Sequence, residues 1–373
     1  MRVLLDVSAV PERPVGAGVY TIELARHLVG HIDLTLMSRR NDGQRWEEIA
    51  PDATTVPRAP NQRPLRLLWE QRRAARIAQQ WHVDCWHGPH YTMPLSLQVP
   101  SVVTFHDTTF LTNPEWHEAA KVRYFRAMMR RVAAQATVIV AVSEYTANLV
   151  GELLSPKCPV VPIPHGVDFE NFSPAPLGNS HDLTLLARSG IRPPFVAFTG
   201  THEPRKDIPG LIAAFARIAH HHPNLTLVLA GPSGWGSNAV NHAVTASGVA
   251  ERILLPGRLP YATLPALFRQ AQVVCYPSFV EGFGLPALET LASGGALLST
   301  SGSAVADIVD DAACVVPPRD VNALTDALDA MLNDPATCAR LRERGPNVAS
   351  AYTWERSAKL HVDAYQLAKE RFA

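Results

Sequence analysis

Residues 277–290 have the sequence PSFVEGFGLPALET, and this stretch is the most informative part of the chain. The apolar run at 271–276 before it predicts a buried strand. Pro286 stands where a helix would begin. A strand, a glycine-containing turn and a helix start together present backbone N–H groups and the positive end of a helix dipole. The stretch therefore predicts an anion-binding turn at the end of a strand.

Two carboxylates frame this turn, since Glu281 precedes the glycines and Glu289 lies about one helical turn inside the predicted helix. Carboxylates repel phosphate but are strong acceptors for hydroxyl groups. A ligand that carries both phosphate and hydroxyls, such as a nucleotide sugar, accounts for both features. The alternative is an ordinary βα loop with surface acids, which is the usual interpretation of a glycine-rich loop on its own.

The segment resembles the E-x7-E signature of the retaining GT-B glycosyltransferases of family 4 (glycosyltransferase group 1), and the chain is similar to the bacterial mannosyltransferases among them. The resemblance covers nearly the whole chain. It implies an α/β fold of the GT-B class, in which two Rossmann-like domains face an interdomain cleft.

Length and composition fit this interpretation. A chain of 373 residues is too long for one ordinary core and suits two domains of roughly 150–200 residues each. A hydrophobic content of 47% and a charged content of 18% are typical of a globular protein. The formal net charge is zero, so no overall field favours nucleic acid as a partner.

The five cysteines are scattered without a CxxC pair, which argues against a zinc site or a disulfide framework and favours a reducing compartment. The N-terminal sequence MRVLLDV is a strand pattern, too short and too soon charged for a signal peptide. No run approaches the ~18 apolar residues of a transmembrane helix. We therefore expect a cytoplasmic protein that could contact the inner face of the membrane peripherally.

Strand-like and helical runs alternate in both halves of the chain, which predicts parallel sheets covered on both faces. Strands are predicted at 34–37, 102–105, 137–142, 195–198, 225–230 and 252–255, and helices at 19–28, 208–220 and 354–372. The proline-rich segment 167–194 predicts a linker.

The predicted domains are an N-terminal acceptor-binding Rossmann-like domain at 1–175 and a C-terminal nucleotide-sugar-binding Rossmann-like domain at 190–353. The resemblance implies that a C-terminal helix at about 354–373 crosses back to the first domain.

The sequence GTHEPRKD at 200–207 follows the first strand of the second half. Arg205 can clamp a diphosphate as a fork and Lys206 as a point charge, and we expect Lys206 to be exposed. The motif resembles the EPRK variant of family 4, in which the basic pair holds the donor diphosphate. Because Thr201 follows Gly200, the chain departs from the commoner GR-x5-K form, which leaves open the cation with the main phosphate role. The alternative is a solvated turn with two surface cations.

A histidine ends a strand of the first half, within FHD at 105–107. Ligands bind at such strand ends, and the resemblance implies that His106 contacts the transferred sugar. An isolated histidine more often packs locally. Asp107 could orient His106 or cap the next helix. The first βα loop carries Gly16 and Gly18, which the resemblance places near the donor phosphates and the acceptor.

Three further motifs match the family pattern: HGPH at 87–90, SE at 143–144 and HGVD at 165–168. The first could border the acceptor and the last could shape the interdomain junction. Each is more typical of a structural than of a catalytic position.

The resemblance assigns catalytic roles to His106 and Glu281. Glu281, with the backbone of 282–284, would hold the sugar hydroxyls, and Glu289 would accept from the ribose hydroxyls. The full donor-binding set is Gly16, Gly18, Arg205, Lys206, Gly282, Phe283, Gly284, Leu285 and Glu289. No DxD-type acid pair stands at a matching place, so no metal and no cofactor is expected.

The predicted function is retaining transfer of a hexose, with mannose from GDP-mannose as the best candidate, to a glycan or lipid-linked acceptor. Resemblance implies front-face attack, with the departing phosphate taking the acceptor proton. Alternatives on the same architecture are a nucleotide-sugar epimerase, a pyridoxal-type phosphorylase or a non-catalytic partner subunit. Neither the acids of an epimerase nor the Schiff-base lysine of such a phosphorylase is recognisable.

Two basic stretches, 63–77 and 121–131, are predicted to be helical. They could contact an anionic membrane surface or a lipid-phosphate acceptor. The alternative is a solvated helix face, with Leu65, Leu68 and Trp69 packed on the first domain.

Overall fold

The computed structural model describes residues 1–174 and 179–372. The chain forms two compact units, the first made of Met1–Gly166 with Thr353–Ala373 and the second of Val167–Tyr352. Each unit is built on one parallel sheet with helices around it.

The first unit contains a sheet of seven strands. These strands are β1 (Arg2–Asp6), β2 (Asp33–Arg39), β3 (Thr54–Ala59), β4 (Cys85–Gly88), β5 (Ser101–Phe105), β6 (Val138–Ala141) and β7 (Val160–Pro162). Their order across the sheet is β3-β2-β1-β4-β5-β6-β7, so the direction of strand addition reverses between β1 and β4. Ligands bind outside the carboxyl ends of the strands at such a switch point.

The helices of the first unit connect these strands. They are α1 (Ala17–Leu28), α2 (Gly43–Ile49), α3 (Arg63–Trp69), α4 (Ala75–Gln80), α5 (Thr109–Thr112), α6 (Ala119–Gln135) and α7 (Glu144–Leu154). A π-helical turn at Glu70–Ala74 joins α3 to α4, and a 3-10 turn at Pro114–Trp116 precedes α6.

The second unit contains a six-stranded sheet with the order β10-β9-β8-β11-β12-β13. Its strands are β8 (Phe195–Thr199), β9 (Thr226–Ala230), β10 (Ile253–Gly257), β11 (Val273–Tyr276), β12 (Leu297–Thr300) and β13 (Ala313–Val316). Strand addition reverses between β8 and β11, which pair in parallel through Val273 with Val196. This is the switch point of the second sheet.

The helices of the second unit cover this sheet. They are α8 (Asn179–Ala187), α9 (Ile208–Ile218), α10 (Ser237–Ala246), α11 (Leu264–Gln270), α12 (Leu285–Ala292), α13 (Ala304–Val309), α14 (Val321–Asn333) and α15 (Pro335–Ala349). Short 3-10 turns lie at Pro204–Lys206, Ala250–Arg252 and Tyr261–Thr263.

The last helix, α16 (Trp354–Phe372), belongs to the first unit, where it packs on α1, β4, β5 and β6. The central strands are buried along their whole length, as in β5 and β8, because helices cover both faces of each sheet. The predicted fold class, with two parallel α/β domains, is confirmed.

The segment 167–194 differs from the predicted linker. Val167 already belongs to the second unit, where its N–H donates to Tyr352 O at 3.0 Å. Asp182 of α8 is fully buried and accepts two hydrogen bonds from Arg269 of α11, at 2.7 and 2.8 Å. The predicted boundaries at 175 and 190 therefore differ from the division after Gly166. Pro176 and Gly178 lie outside the described residues.

Candidate active site

The two motifs of the second half meet because they follow neighbouring strands. The EPRK turn follows β8 and the glycine turn follows β11, on the two sides of the switch point. The Phe279 N–H donates to Arg205 O at 2.7 Å, which joins the two loops through their backbones. The carboxyl edge of the sheet thus brings Arg205, Lys206 and Glu281 together.

Glu281 binds both cations of the EPRK turn. Lys206 Nζ lies 2.6 Å from Glu281 Oε1, and Arg205 Nη1 donates to Glu281 Oε2. Arg205 is held further by Glu203, with 2.8 Å between Nε and Oε2. Lys206 also donates to the Tyr276 hydroxyl and lies 4.5 Å from the centroid of that ring. Protein groups alone therefore fix two adjacent cations in place.

Lys206 and Glu281 are each only 5% exposed. The prediction of an exposed Lys206, and the alternative of two surface cations, are therefore wrong, because β8 ends beside the acid that follows β11. Burial opposes the charge of Glu281, but Arg205 and Lys206 outweigh it and lower the pKa of Glu281 to about 2. Burial and the neighbouring Arg205 lower the pKa of Lys206, while Glu281 opposes that change.

The glycine turn contributes backbone rather than side chains. Gly284 has φ +114, and a Cβ there would lie 2.5 Å from Val305 Cγ2, so the position requires glycine. The Phe283 side chain is buried and packs edge-on against Tyr352, with ring centroids 6.2 Å apart. Pro286 is the second residue of α12, so the strand, turn and helix start predicted from the sequence are present.

Glu289 lies on α12 and is 9% exposed. Burial, together with the charge of Asp168, raises the pKa of Glu289 to about 8. This carboxyl group is therefore neutral at pH 7. A carboxyl close to its titration point can donate to one hydroxyl or, once ionised, accept from two.

His106 of the first unit follows β5, and its Nε2 lies 2.7 Å from Pro89 O. A carbonyl only accepts, so Nε2 carries the proton and Nδ1 presents a lone pair. Burial lowers the pKa of His106, which keeps the ring neutral. The Asp107 carboxylate accepts from Thr109 N at 2.9 Å and Thr109 Oγ1 at 2.7 Å, so it stabilises the start of α5.

The first βα loop enters α1 through two glycines. Gly16 has φ +47, a conformation that disfavours other residues. A Cβ at Gly18 would lie 2.9 Å from Pro14 Cβ. Gly16 therefore needs glycine for its backbone conformation, whereas Gly18 needs it because a side chain would clash with Pro14. Contact of either glycine with the donor stays a prediction.

The three additional motifs have structural contacts. His87 is fully buried and forms hydrogen bonds with Thr104 and Tyr365. Ser143 caps α7 by accepting from Thr146 N at 3.0 Å. Gly166 lies against the backbone of Trp354, where a Cβ would clash.

The basic helices of the first unit expose apolar groups. Leu65 is 53% exposed and Leu68 is 48% exposed, whereas Trp69 is partly buried against the core. Arg126 donates to Phe110 O at 2.7 Å and Leu111 O at 2.9 Å, so it stabilises the fold locally. The alternative, in which Leu65, Leu68 and Trp69 all pack on the domain, therefore holds for Trp69 but not for the two leucines.

Sequence reasoning missed two polar partners of the cation pair. Tyr276 is the last residue of β11 and holds Lys206, and Glu203 holds Arg205. The position of Tyr276 at the carboxyl end of a strand was a usable signal, because parallel strand ends meet at one edge.

Within residues 1–174 and 179–372, no group of three or more His, Cys, Asp or Glu side chains is placed to hold a metal ion. In the same part of the chain, every helix is too short or too polar to span a bilayer.

The chain has two α/β units, each built on one parallel sheet, and paired cations with a carboxylate lie at the switch point of the second. Together with the matches to known families and solved structures, these features identify a glycosyltransferase of the GT-B class. The family described as glycosyl transferases group 1 matches residues 187–348, and that described as glycosyltransferase family 4 matches residues 14–171. The chain therefore belongs to the family 4 (group 1) glycosyltransferases, as its motifs indicated, and is a glycosyltransferase enzyme.

Named relatives and a solved structure agree with this assignment. The O-antigen chain mannosyltransferase B of Escherichia coli is 29% identical over 306 residues, 81% of this chain and 79% of its own. The GDP-mannose-dependent alpha-(1-6)-phosphatidylinositol monomannoside mannosyltransferase of Mycolicibacterium smegmatis is 26% identical over 357 residues, 92% of each chain. The sucrose-phosphate synthase structure from Thermosynechococcus elongatus has a TM-score of 0.81 at 20% identity over 98% of both chains, which shows the fold.

Proposed function

We propose that this glycosyltransferase transfers mannose from GDP-mannose to a glycan or glycolipid acceptor with retention of configuration. The observation that carries this proposal is the cluster of the half-buried Arg205 with the buried Lys206 and Glu281, just before the start of α12. It combines fixed positive charge for a diphosphate with a carboxylate for sugar hydroxyls.

The reaction needs charge stabilisation on the leaving group. As the bond from the anomeric carbon to the diphosphate breaks, negative charge grows on the phosphate oxygens. Arg205, Lys206 and the positive end of α12 stabilise that charge without reorganising, since Glu281 already holds both cations. Side chains supply this stabilisation, so the proposed reaction is independent of metal and cofactor.

The remaining contacts orient the donor. Glu281, with the backbone of 282–284, binds sugar hydroxyls, and Glu289 binds the ribose hydroxyls. Gly16 and Gly18 allow close approach of the first βα loop. The His106 Nδ1 lone pair accepts from a hydroxyl of the transferred sugar. The acceptor oxygen then bonds to the anomeric carbon on the face that the phosphate leaves, and its proton passes to that phosphate.

The names of the two relatives favour mannose as the sugar and guanosine as the nucleoside. Both relatives described above are named mannosyltransferases, and one is named as dependent on GDP-mannose. Their names also describe an O-antigen chain and a phosphatidylinositol mannoside, which supports a glycan or lipid-linked acceptor.

A lipid-linked acceptor suits the exposed surface of the first unit. Leu65 and Leu68 project from α3, and Arg72, Arg73 and Arg76 are exposed on the turn and helix that follow. Apolar groups beside cations favour an anionic lipid surface. We infer peripheral membrane contact through this α3–α4 face.

A thermal-shift panel of GDP, UDP, ADP and dTDP tests the donor assignment. A ligand that binds only the folded state raises the melting temperature with its concentration. GDP should give the largest shift, and Glu289→Gln should reduce it. Equal shifts for all four nucleotides, or a larger shift with UDP, would reject guanosine.

A further inference from the structure

A chain of hydrogen-bonded side chains in the first unit joins α16 to α1, β4 and β5. The Tyr20 hydroxyl lies 2.9 Å from Thr104 Oγ1 and 2.8 Å from His361 Nε2. His87 Nε2 lies 2.8 Å from the same threonine oxygen, and His87 Nδ1 lies 2.7 Å from the Tyr365 hydroxyl. All five residues are 0% exposed, so water cannot substitute for a missing partner.

One backbone carbonyl sets the direction of every hydrogen bond in this chain. His361 Nδ1 lies 2.7 Å from Ser357 O, which can only accept, so Nδ1 carries the proton. Burial lowers the pKa of His361 to about 4, so the ring is neutral and Nε2 accepts from Tyr20. Tyr20 must then accept from the Thr104 hydroxyl.

The same logic fixes the far end. Thr104 has used its proton, so its oxygen accepts from His87 Nε2–H. His87 is neutral, because burial holds its pKa well below the ordinary value. His87 Nδ1 therefore accepts from the Tyr365 hydroxyl. Both ends of this series of hydrogen bonds are on α16, at His361 and Tyr365.

Tyr20 also packs on His106. The two rings meet edge to face, with centroids 5.1 Å apart and an interplanar angle of 77°. The hydrogen bond from His106 to Pro89 O, taken alone, leaves the imidazole free to turn about that bond. The direction of the Nδ1 lone pair therefore depends on the rings around His106, among them Tyr20 and, at 5.5 Å, His90.

We propose that Tyr20 is a positioning residue for His106 and that His361 of α16 holds Tyr20 in place. This proposal rests on the proposed function, in which His106 contacts the transferred sugar. It gives His361 of α16, but not Tyr365, a part in orienting the reaction centre.

Two matched variants separate positioning from stability. Tyr20→Phe and Tyr365→Phe each remove one fully buried hydroxyl from the same chain of hydrogen bonds, but of these two only Tyr20 is in ring contact with His106. Both should lower the melting temperature. Tyr20→Phe should lower kcat for GDP-mannose hydrolysis by ~10- to 100-fold, the scale of a small misplacement, with GDP affinity unchanged. Tyr365→Phe should keep kcat close to that of the wild type.

A spectroscopic readout does not depend on the donor. In protein labelled with ¹⁵N-histidine, the His106 signals are assigned by their loss in His106→Gln. The wild type and Tyr365→Phe should show one neutral tautomer of His106 with the proton on Nε2. Because burial lowers the pKa of His106, looser packing in Tyr20→Phe should make this histidine titrate at higher pH. If the wild type does not hydrolyse GDP-mannose, the donor assignment fails while this measurement still decides the positioning role. An unchanged His106 signal in Tyr20→Phe, or equal loss of kcat in both variants, would overturn the proposal.

Discussion

Lys206 and Glu281 are separated by 75 residues in the chain and form a buried ion pair, with 2.6 Å between Nζ and Oε1. Arg205 binds the other carboxylate oxygen. One buried acid therefore fixes two cations side by side. Pairing of β8 with β11 explains how sequence-distant motifs reach this arrangement.

Replacing Lys206 tests its role in charge stabilisation. We expect Lys206→Ala to reduce turnover by at least ~100-fold, the usual effect of removing one preorganised stabiliser of transition-state charge. Because Lys206 is buried rather than exposed, we also expect a lower melting temperature, since Glu281 keeps only Arg205 as a cationic partner. Rates measured at saturating donor and thermal melts check both outcomes.

Two companion variants make this result interpretable. Lys206→Met keeps most of the buried volume and should be as inactive as Lys206→Ala. Lys121→Ala removes a cation paired with Glu118 in the first unit and should leave turnover unchanged. Full activity of Lys206→Met would show that the charge is dispensable.

The raised pKa of Glu289 predicts a pH dependence of nucleotide binding. The group is neutral below about pH 8 without ligand. If the ribose hydroxyls bind the carboxylate, binding releases its proton, so affinity should rise by up to ~10-fold per pH unit towards pH 8 and then level off. Calorimetry of GDP binding in buffers of different ionisation enthalpy should show proton release at pH 7.

Glu289→Gln provides the control for this effect, because the amide has nearly the same shape and does not titrate. Its GDP affinity should be lower at pH 8 and nearly independent of pH between 6 and 8. A pH dependence that persists in Glu289→Gln would assign the titration to another group.

Metal independence is tested by chelation. Because Arg205, Lys206 and α12 supply the proposed charge stabilisation, activity should persist in excess EDTA. Added Mn²⁺ or Mg²⁺ should not increase it after dialysis. Loss of activity in EDTA, restored by either ion, would reveal a metal requirement.

Membrane contact is tested with vesicles. The exposed Leu65 and Leu68, with the arginines that follow, should make the protein pellet with anionic vesicles at low salt. Each cation near the surface adds ~1 kcal/mol, so Arg72→Glu with Arg73→Glu should reduce pelleting strongly. High salt should release the protein.

A double charge reversal in the second unit is the matched control. Arg188→Glu with Arg340→Glu changes the net charge equally, at two exposed positions outside the α3–α4 face, and should pellet like the wild type. Equal recovery of the wild type with neutral and anionic vesicles would contradict membrane contact.

Sequence patterns predicted the elements around the site because local signals set them. The apolar run at 271–276, the glycines and Pro286 give β11, a turn requiring glycine at 284, and α12. The parallel α/β architecture followed from alternating runs. These features depend on residues close together in the chain.

The sequence could not predict which charged side chains are buried or which residues they pair with. The exposure of Lys206 depends on Glu281, which reaches it through strand pairing and not through sequence proximity. The prolines of the segment 167–194 predicted a linker. However, Asp182 in this segment binds Arg269, so the segment is packed into the second unit. Leu65 and Leu68 have the apolar character of core residues but face solvent.

Retaining transfer from GDP-mannose is tested by incubating the protein with a panel of nucleotide sugars and following the sugar by NMR. We expect slow release of GDP from GDP-mannose alone, with mannose initially in the α configuration of the donor, and little reaction with other nucleotide sugars. Lys206→Met should abolish this reaction. Initial release of β-mannose would contradict retention, isomerised nucleotide sugar would indicate an epimerase, and binding without release would indicate a non-catalytic subunit.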